Sequence, residues 1–304
     1  MRIKENFFPK NLLAPLQIPF KTDNMFLEAD AQLIFLCGKK IKSNSGSKTS
    51  RQLLMNYASK HLTEFQFFLA EDFFRAFPNE ERHDLLAIED RLSFYSDCIF
   101  IVLESESTFA ELGAFAIKNS LAKNILVIND RKFINDDSFI SLGPLAKVGK
   151  ISRFKPIIYT NLDAILKCIP DVQKRLSKIQ RSNRKRFTVK SNKEFNELPG
   201  KVKMLLLLDL INIFHPISHK ELIAVLEKLF GIDNYDIFFE LGLLEALKLV
   251  FRVKSFYLRA RGDTRYFFKF GNVNLIKYRS TIINHYHKYY WPKARILSAK
   301  FSEF

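Results

Sequence analysis

Four short apolar runs, Leu33–Cys37, Phe65–Ala70, Cys98–Leu103 and Ile125–Ile128, are separated by stretches of helix length, and this spacing constrains the chain more than anything else in it. Each run has the length of a strand and, Gln66 apart, is apolar, as strands covered on both faces are. Ile157–Tyr159 is a shorter fifth candidate. The intervening segments predict helices over about Arg51–His61, Glu80–Tyr95 and Thr108–Leu121. Strands alternating with helices imply right-handed crossovers and a parallel α/β sheet with helices on both faces. Ligands of such sheets sit outside the carboxyl ends of the strands, so the loops after Cys37 and Leu103 are the places to look for chemistry.

A chain of 304 residues favours two domains, and charge says where they divide. Residues 1–170 carry 22 Lys/Arg against 20 Asp/Glu, whereas residues 171–304 carry 26 against 12, so nearly all of the +16 net charge lies in the second part. A near-neutral part joined to a basic one implies small-molecule chemistry or packing in the first and contact with a polyanion in the second. Nine Lys/Arg and no acid between Lys174 and Lys193 mark the boundary. The expected organisation is a domain over 1–170, a basic linker over 171–200 and a second domain over 201–304. In the last, helices are expected over Lys201–Phe214, over Ser218–Phe230 with a Ser218/Glu221 capping box, and over Tyr235–Val250. Aromatic, partly alternating runs at Phe251–Leu258 and Arg265–Phe270 predict a hairpin around Arg261. Three helices and a hairpin make a winged helix-turn-helix domain. Three dispersed cysteines, no apolar stretch of spanning length and no signal-peptide pattern lead us to expect a cytoplasmic protein that neither enters nor spans a membrane. No motif with metal-ligand spacing occurs, so neither a metal nor a bound cofactor is expected.

The segment from Leu103 to Ala116 starts at the end of an expected buried strand and enters a helix that Ser107 or Thr108 can cap. Its three glutamates, Glu104, Glu106 and Glu111, are the residue type that supplies a nucleophile and an acid or base for breaking a glycosidic bond. By spacing alone they read better as capping acids on a solvated loop. The Lys39–Ser50 loop, with Arg51 beside it, is placed to cradle phosphates or to be a plain surface loop. In the basic part, Arg181, Arg184, Lys185, Arg186, Arg252, Lys254, Arg259, Arg261, Arg265 and Lys269 are candidates for phosphate contact. The aromatics between them, and those of His285–Trp291, read as stacking platforms or as core.

Three features together resemble the nucleoside 2-deoxyribosyltransferase-like fold, of Rossmann or flavodoxin type. They are Phe35-Leu36-Cys37-Gly38, an acid at Glu89 or Asp90 ahead of a strand opening with Asp97, and Ala110-Glu111-Leu112-Gly113-Ala114-Phe115-Ala116. The resemblance covers roughly residues 30–170. It implies that Glu111 is the nucleophile at the anomeric carbon; Glu106 or Glu104, which reach the same crevice from the preceding loop, are the alternatives. It also implies that Cys37, Gly38, Glu89 or Asp90, and Asp97 surround the substrate, and the loop positions of Arg51, Glu104 and Ser107 add these to the expected set. The serine- and acid-rich loop before the helix departs from the glycine-rich loop of the transferases. The whole chain looks like the transferase-like effectors of bacterial retrons, in which a winged helix follows the catalytic-type domain. That resemblance implies a toxic antiviral effector that splits the N-glycosidic bond of a nucleotide, NAD first among them. It further implies restraint by a reverse transcriptase and its multicopy single-stranded DNA–RNA hybrid, and it leaves a homo-oligomer open. The alternative reading is a non-catalytic nucleotide sensor joined to a DNA-binding module.

Overall fold

The computed structural model describes residues 8–21, 25–40, 48–76, 85–179, 185–187, 192–231, 236–260 and 265–299. Two compact units emerge, Ala31–Arg181 and a second that joins Met1–Asp30 to Ser182–Phe304. Helix α1 (Lys10–Lys21) and strand β1 (Met25–Leu27) come first in the chain and belong to the second unit. The first unit then gives β2 (Gln32–Cys37), α2 (Ser50–His61), β3 (Phe65–Phe68), α3 (Ala70–Ala76), α4 (Leu85–Tyr95), β4 (Cys98–Val102) and α5 (Glu106–Ile117). It continues with α6 (Asn119–Ala122), β5 (Ile125–Asp130), α7 (Ala146–Ile151), β6 (Ile158–Thr160) and α8 (Ile169–Leu176).

Strands β2 to β6 form one parallel sheet in the order β3-β2-β4-β5-β6, so the α/β class read from the apolar runs holds. Progress across the sheet reverses between β2 and β4, which opens a crevice at the carboxyl ends of those two strands. Every residue of both strands is buried. On one face Ile34, Leu36, Phe100, Val102 and Leu126 pack against Leu54 and Ala58 of α2 and Val172 and Leu176 of α8. Alternation sends Leu33, Phe35 and Cys37 to the opposite face. There the Phe35 ring stacks on Phe68 at 5.3 Å and meets Phe115 of α5 edge-on at 6.3 Å. Cys37, last in β2, therefore ends on the side where α5 lies.

The second unit contains β7 (Lys185–Phe187), α9 (Asn192–Glu197), α10 (Gly200–Phe214), β8 (Ile217–Ser218), α11 (His219–Phe230) and α12 (Phe238–Ala246). After these come β9 (Val250–Val253), β10 (Phe256–Arg259), β11 (Phe268–Phe270), α13 (Leu275–Tyr289) and α14 (Trp291–Ser298). Its strands form two antiparallel sheets, β11-β1-β7 and β8-β10-β9. Helix α10 is the core element, buried from Met204 to Phe214. That stretch includes Asp209, whose carboxylate is satisfied by the N–H groups of Phe267 at 2.9 Å and Phe268 at 2.7 Å. Helix α11 begins with the expected box. Ser218 N–H donates to Glu221 Oε2 at 2.8 Å and Glu221 N–H donates back to Ser218 Oγ at 3.3 Å.

Several expected boundaries move. Residues 1–30 cluster with the C-terminal part, because β1 is the central strand between β7 and β11. The stretch expected as a linker holds α8 up to Leu176, then β7 and α9. The expected hairpin around Arg261 is replaced by a tighter one, β9 to β10, turning at Lys254 with φ +56°. Phe268–Phe270 pairs with β1 instead, and Arg261 lies outside the described residues. The third helix ends at Ala246 rather than Val250, which already belongs to β9.

Candidate active site

The loop after β4 reaches back to the loop after β2 through one side chain. Glu104 Oε1 accepts the N–H groups of Lys39 at 3.0 Å and Arg51 at 3.1 Å, and Oε2 accepts that of Ser50 at 2.9 Å. Two of these donors are the free N–H groups at the start of α2, where a carboxylate is favoured. Both oxygens are thus engaged, and Glu104 clamps the crevice wall rather than presenting a free carboxylate to a ligand.

Arg51 continues inward from that clamp. Its buried guanidinium makes a fork-like pair with Glu71 of α3, at 2.8 Å and 3.2 Å. Gly38 makes room for it: a Cβ at that position would stand 2.6 Å from Arg51 Cβ and 2.8 Å from its Cδ. Burial alone would raise the Glu71 carboxyl, but the hydrogen bonds and charge of Arg51 outweigh it and hold Glu71 below the ordinary range. Glu71 was not a sequence candidate. Arg51 lies 20 residues before it, and only the β3 crossover brings the two together.

Glu111, one turn into α5, lies half-buried, close enough to Cys37 for the two groups to shift each other's titration. Its Oε2 is buried with no hydrogen-bond partner among the described residues. Burial, then the charge of Glu89, push the Glu111 carboxyl up to about 7, with Cys37 and Arg51 pulling the other way. Burial, then the charge of Glu71, likewise raise Glu89 of α4. The Cys37 thiol is pushed far up by burial and by the charges of Glu111 and Glu89. Five candidates from the sequence, Cys37, Gly38, Arg51, Glu89 and Glu111, thus converge, with Glu71 added.

A crevice of about 580 Å³ opens at the carboxyl ends of β4 and β5. Its lining includes Lys39, Lys40, Lys48 and Lys132 together with Glu104 and Glu106, but not Glu111. Glu106 and Ser107 are exposed in the first turn of α5. The helix is capped two residues before the nearer expected cap, Ser107: its N-cap is Ser105, whose N–H donates to Thr108 Oγ1 at 3.2 Å.

Two candidates lie elsewhere. Asp90 is paired with Lys118 at 2.6 Å. Asp97 precedes β4, at the amino edge of the sheet, where Oδ2 accepts Leu33 N–H at 2.8 Å and its own N–H donates to Leu33 O at 2.8 Å. That tie fixes the register of β4 beside β2, at the edge opposite the crevice. Among the described residues no group of three or more His, Cys, Asp or Glu is placed to hold a metal ion, and no helix is long and apolar enough to cross a membrane.

Residues 47–252, more than half of the chain, match the model of the STM3845 retron effector protein family. The chain belongs to this family of retron effectors. It is 31% identical over 260 residues to the Escherichia coli protein named "Retron Ec73 putative ribosyltransferase/DNA-binding protein", an alignment that covers 79% of this chain and 80% of that one. A second Escherichia coli protein, with the same name for retron Ec86, is 32% identical over 120 residues, or 39% of this chain and 38% of that one.

In this retron effector the basic candidates scatter. Arg181, Arg184 and Arg261 fall outside the described residues, and of Lys185 only the backbone is described. Arg186, Arg252, Lys254, Arg265 and Lys269 are exposed. Arg186 lies 5.3 Å from the Phe26 ring and Arg252 lies 3.5 Å from Glu245. Arg259 is buried, which removes it from the surface, and the aromatics Tyr257, Phe267, Phe268 and Phe270 are core.

Proposed function

We propose that this retron effector is an N-glycosidase of the nucleoside deoxyribosyltransferase-like class, with NAD as the first substrate to test and Glu111 as its nucleophile. The observation that carries the reading is the buried, unpartnered Oε2 of Glu111 beside the point where the sheet order reverses. In the reaction the Glu111 carboxylate attacks C1′ of the ribose as the C1′–N bond breaks, and the bonding pair leaves with the base. Water then cleaves the glycosyl ester and regenerates the carboxylate. A pyridinium base leaves as a neutral molecule and needs no proton from the protein. Its positive charge also favours the ionised form of a carboxyl that burial holds near 7. The four lysines of the crevice suit the phosphates of a nucleotide, and its volume is within the range of small-molecule sites. Glu106, which lines that crevice where Glu111 does not, is the alternative nucleophile.

The second unit is proposed to hold the nucleic acid of the retron, and the effector to be restrained by that hybrid and its reverse transcriptase. Support comes from the helix–strand–helix–helix–hairpin order of residues 200–259, which is that of a winged helix, and from the DNA-binding part of the relatives' names. Incubating the purified protein with NAD and measuring free nicotinamide tests the catalytic half. Release by the wild type and its loss in a folded Glu111→Gln variant is expected. No release by the wild type overturns the NAD assignment, and full release by Glu111→Gln moves the nucleophile to Glu106.

A further inference from the structure

Winged helices ordinarily read duplex DNA with the third helix in the major groove. Here the third helix, α12, leaves only Phe238 exposed and Glu245 half-buried, and offers no basic side chain to do so. Phe239 to Leu244 and Ala246 are buried, and its charged residues are Glu240 and Glu245. The opposite composition occurs in α13 and α14. Residues 275–298 hold five Lys/Arg and two His with no acid. Leu275, Tyr278, Ile282 and Tyr286 recur at three- and four-residue spacing and face inward.

The elbow between the two helices is firmly held. Tyr286 donates its hydroxyl to Phe214 O at 2.6 Å and Arg279 donates to Ile213 O at 2.9 Å, which satisfies carbonyls at the end of α10. Lys293 pairs with Glu221 at 2.5 Å, both buried. Yet two large rings at this anchored corner stand in solvent, Tyr289 at 61% and Trp291 at 69% exposure. Lys288 Nζ lies 5.1 Å from the Tyr289 ring, and the His285 ring packs 4.9 Å from that of Tyr289 and 5.5 Å from that of Tyr290. Lys277, His287 and Arg295 are exposed on the same two helices.

We propose that this elbow grips single-stranded nucleic acid, with bases stacked on Trp291 and Tyr289 and phosphates met by Lys277, His287, Lys288 and Arg295. The proposal rests on the nucleic-acid-binding reading above and gives it a surface. Exposed aromatics among cations suit unpaired bases, because a ring can stack on any base face while the cations follow the backbone. A duplex keeps its base faces covered.

Trp291 is the only tryptophan of the chain, so its fluorescence reports the site directly. The full-length protein is titrated with a labelled oligo(dT) strand, an abasic strand of equal length and a duplex, following label anisotropy and tryptophan emission together. The expected result is binding and quenching by oligo(dT), and weaker binding without comparable quenching by the abasic strand and the duplex. The double variant Trp291→Ala, Tyr289→Ala should lose roughly tenfold or more in affinity for oligo(dT). Trp291→Phe should keep most of the affinity. Because both rings are exposed, a melting temperature matching the wild type shows that the losses are local. Oligo(dT) binding that leaves emission unchanged and survives the double variant overturns the elbow but leaves nucleic-acid binding standing. Preference for the duplex does the same. Failure of every strand and duplex to bind overturns both the elbow and the reading beneath it, and points to a protein partner for these rings.

Discussion

Glu104 separates a residue that holds the crevice together from one that holds the substrate, and Glu104→Gln is the perturbation that tells them apart. The carboxylate takes three backbone N–H groups, from Lys39, Ser50 and Arg51. An amide of the same shape keeps one acceptor oxygen and turns an NH₂ group toward the remaining donor or donors. The smallest loss puts the oxygen on the Lys39 and Arg51 pair and leaves Ser50 N–H facing a donor. Hydrogen bonds to a charged group contribute about 1.5–3 kcal/mol each, and the two that survive are weakened to neutral ones. A cost of about 3–5 kcal/mol follows. For a domain of this size that is a fall in melting temperature of roughly 6–20 °C. Thermal unfolding followed by circular dichroism measures it, with nicotinamide release assayed well below the transition. An unchanged melting temperature with hydrolysis abolished would refute the clamp and return Glu104 to the substrate-binding set.

Two further predictions concern carboxylates in other settings. Folded Glu111 keeps its proton up to about pH 7, whereas a free glutamate releases it near 4.5, so the stability this group contributes is complete below 4.5 and lost as pH rises through 7. Glu111→Gln should therefore be more stable than the wild type above pH 7, by up to about 3 kcal/mol, with the gap closing toward pH 4.5. Denaturant unfolding at several pH values measures this. Hydrolysis by the wild type should rise through the same interval as the carboxylate forms. Asp97→Asn should lower the melting temperature by several degrees and leave hydrolysis per folded molecule unchanged, since its bond to Leu33 lies at the amino edge of the sheet. A loss of hydrolysis without a loss of stability would put Asp97 back at the substrate.

The sheet was legible because its central strands β2 and β4 are buried on both faces, which forces uninterrupted apolar runs such as Cys98–Val102. The Ser218/Glu221 box was legible because capping is local. Non-local features were not. Three-residue β1 leaves no pattern, and its pairing with β11 over more than two hundred residues is a matter of tertiary packing. The turn at Lys254-Ser255 carries none of the glycine or asparagine that marks most tight hairpins, so the run Phe251–Leu258 read as one strand although it contains most of two. In the site, Glu111 and Cys37 were found by motif, while Glu71 was missed because a glutamate in a helix has no sequence mark until Arg51 faces it. Glu104 was found, but its three N–H contacts were not legible, since spacing does not tell that they converge on one carboxylate.

The central claim, that Glu111 attacks the anomeric carbon, is tested most directly by locating the covalent intermediate. An NAD analogue carrying fluorine at the 2′ carbon of the nicotinamide ribose slows the second step, so the glycosyl ester accumulates and can be sequenced by mass spectrometry. The account predicts one adduct per chain, on Glu111, absent from Glu111→Gln. An adduct on Glu106, or hydrolysis of NAD with no adduct under trapping conditions, would contradict it.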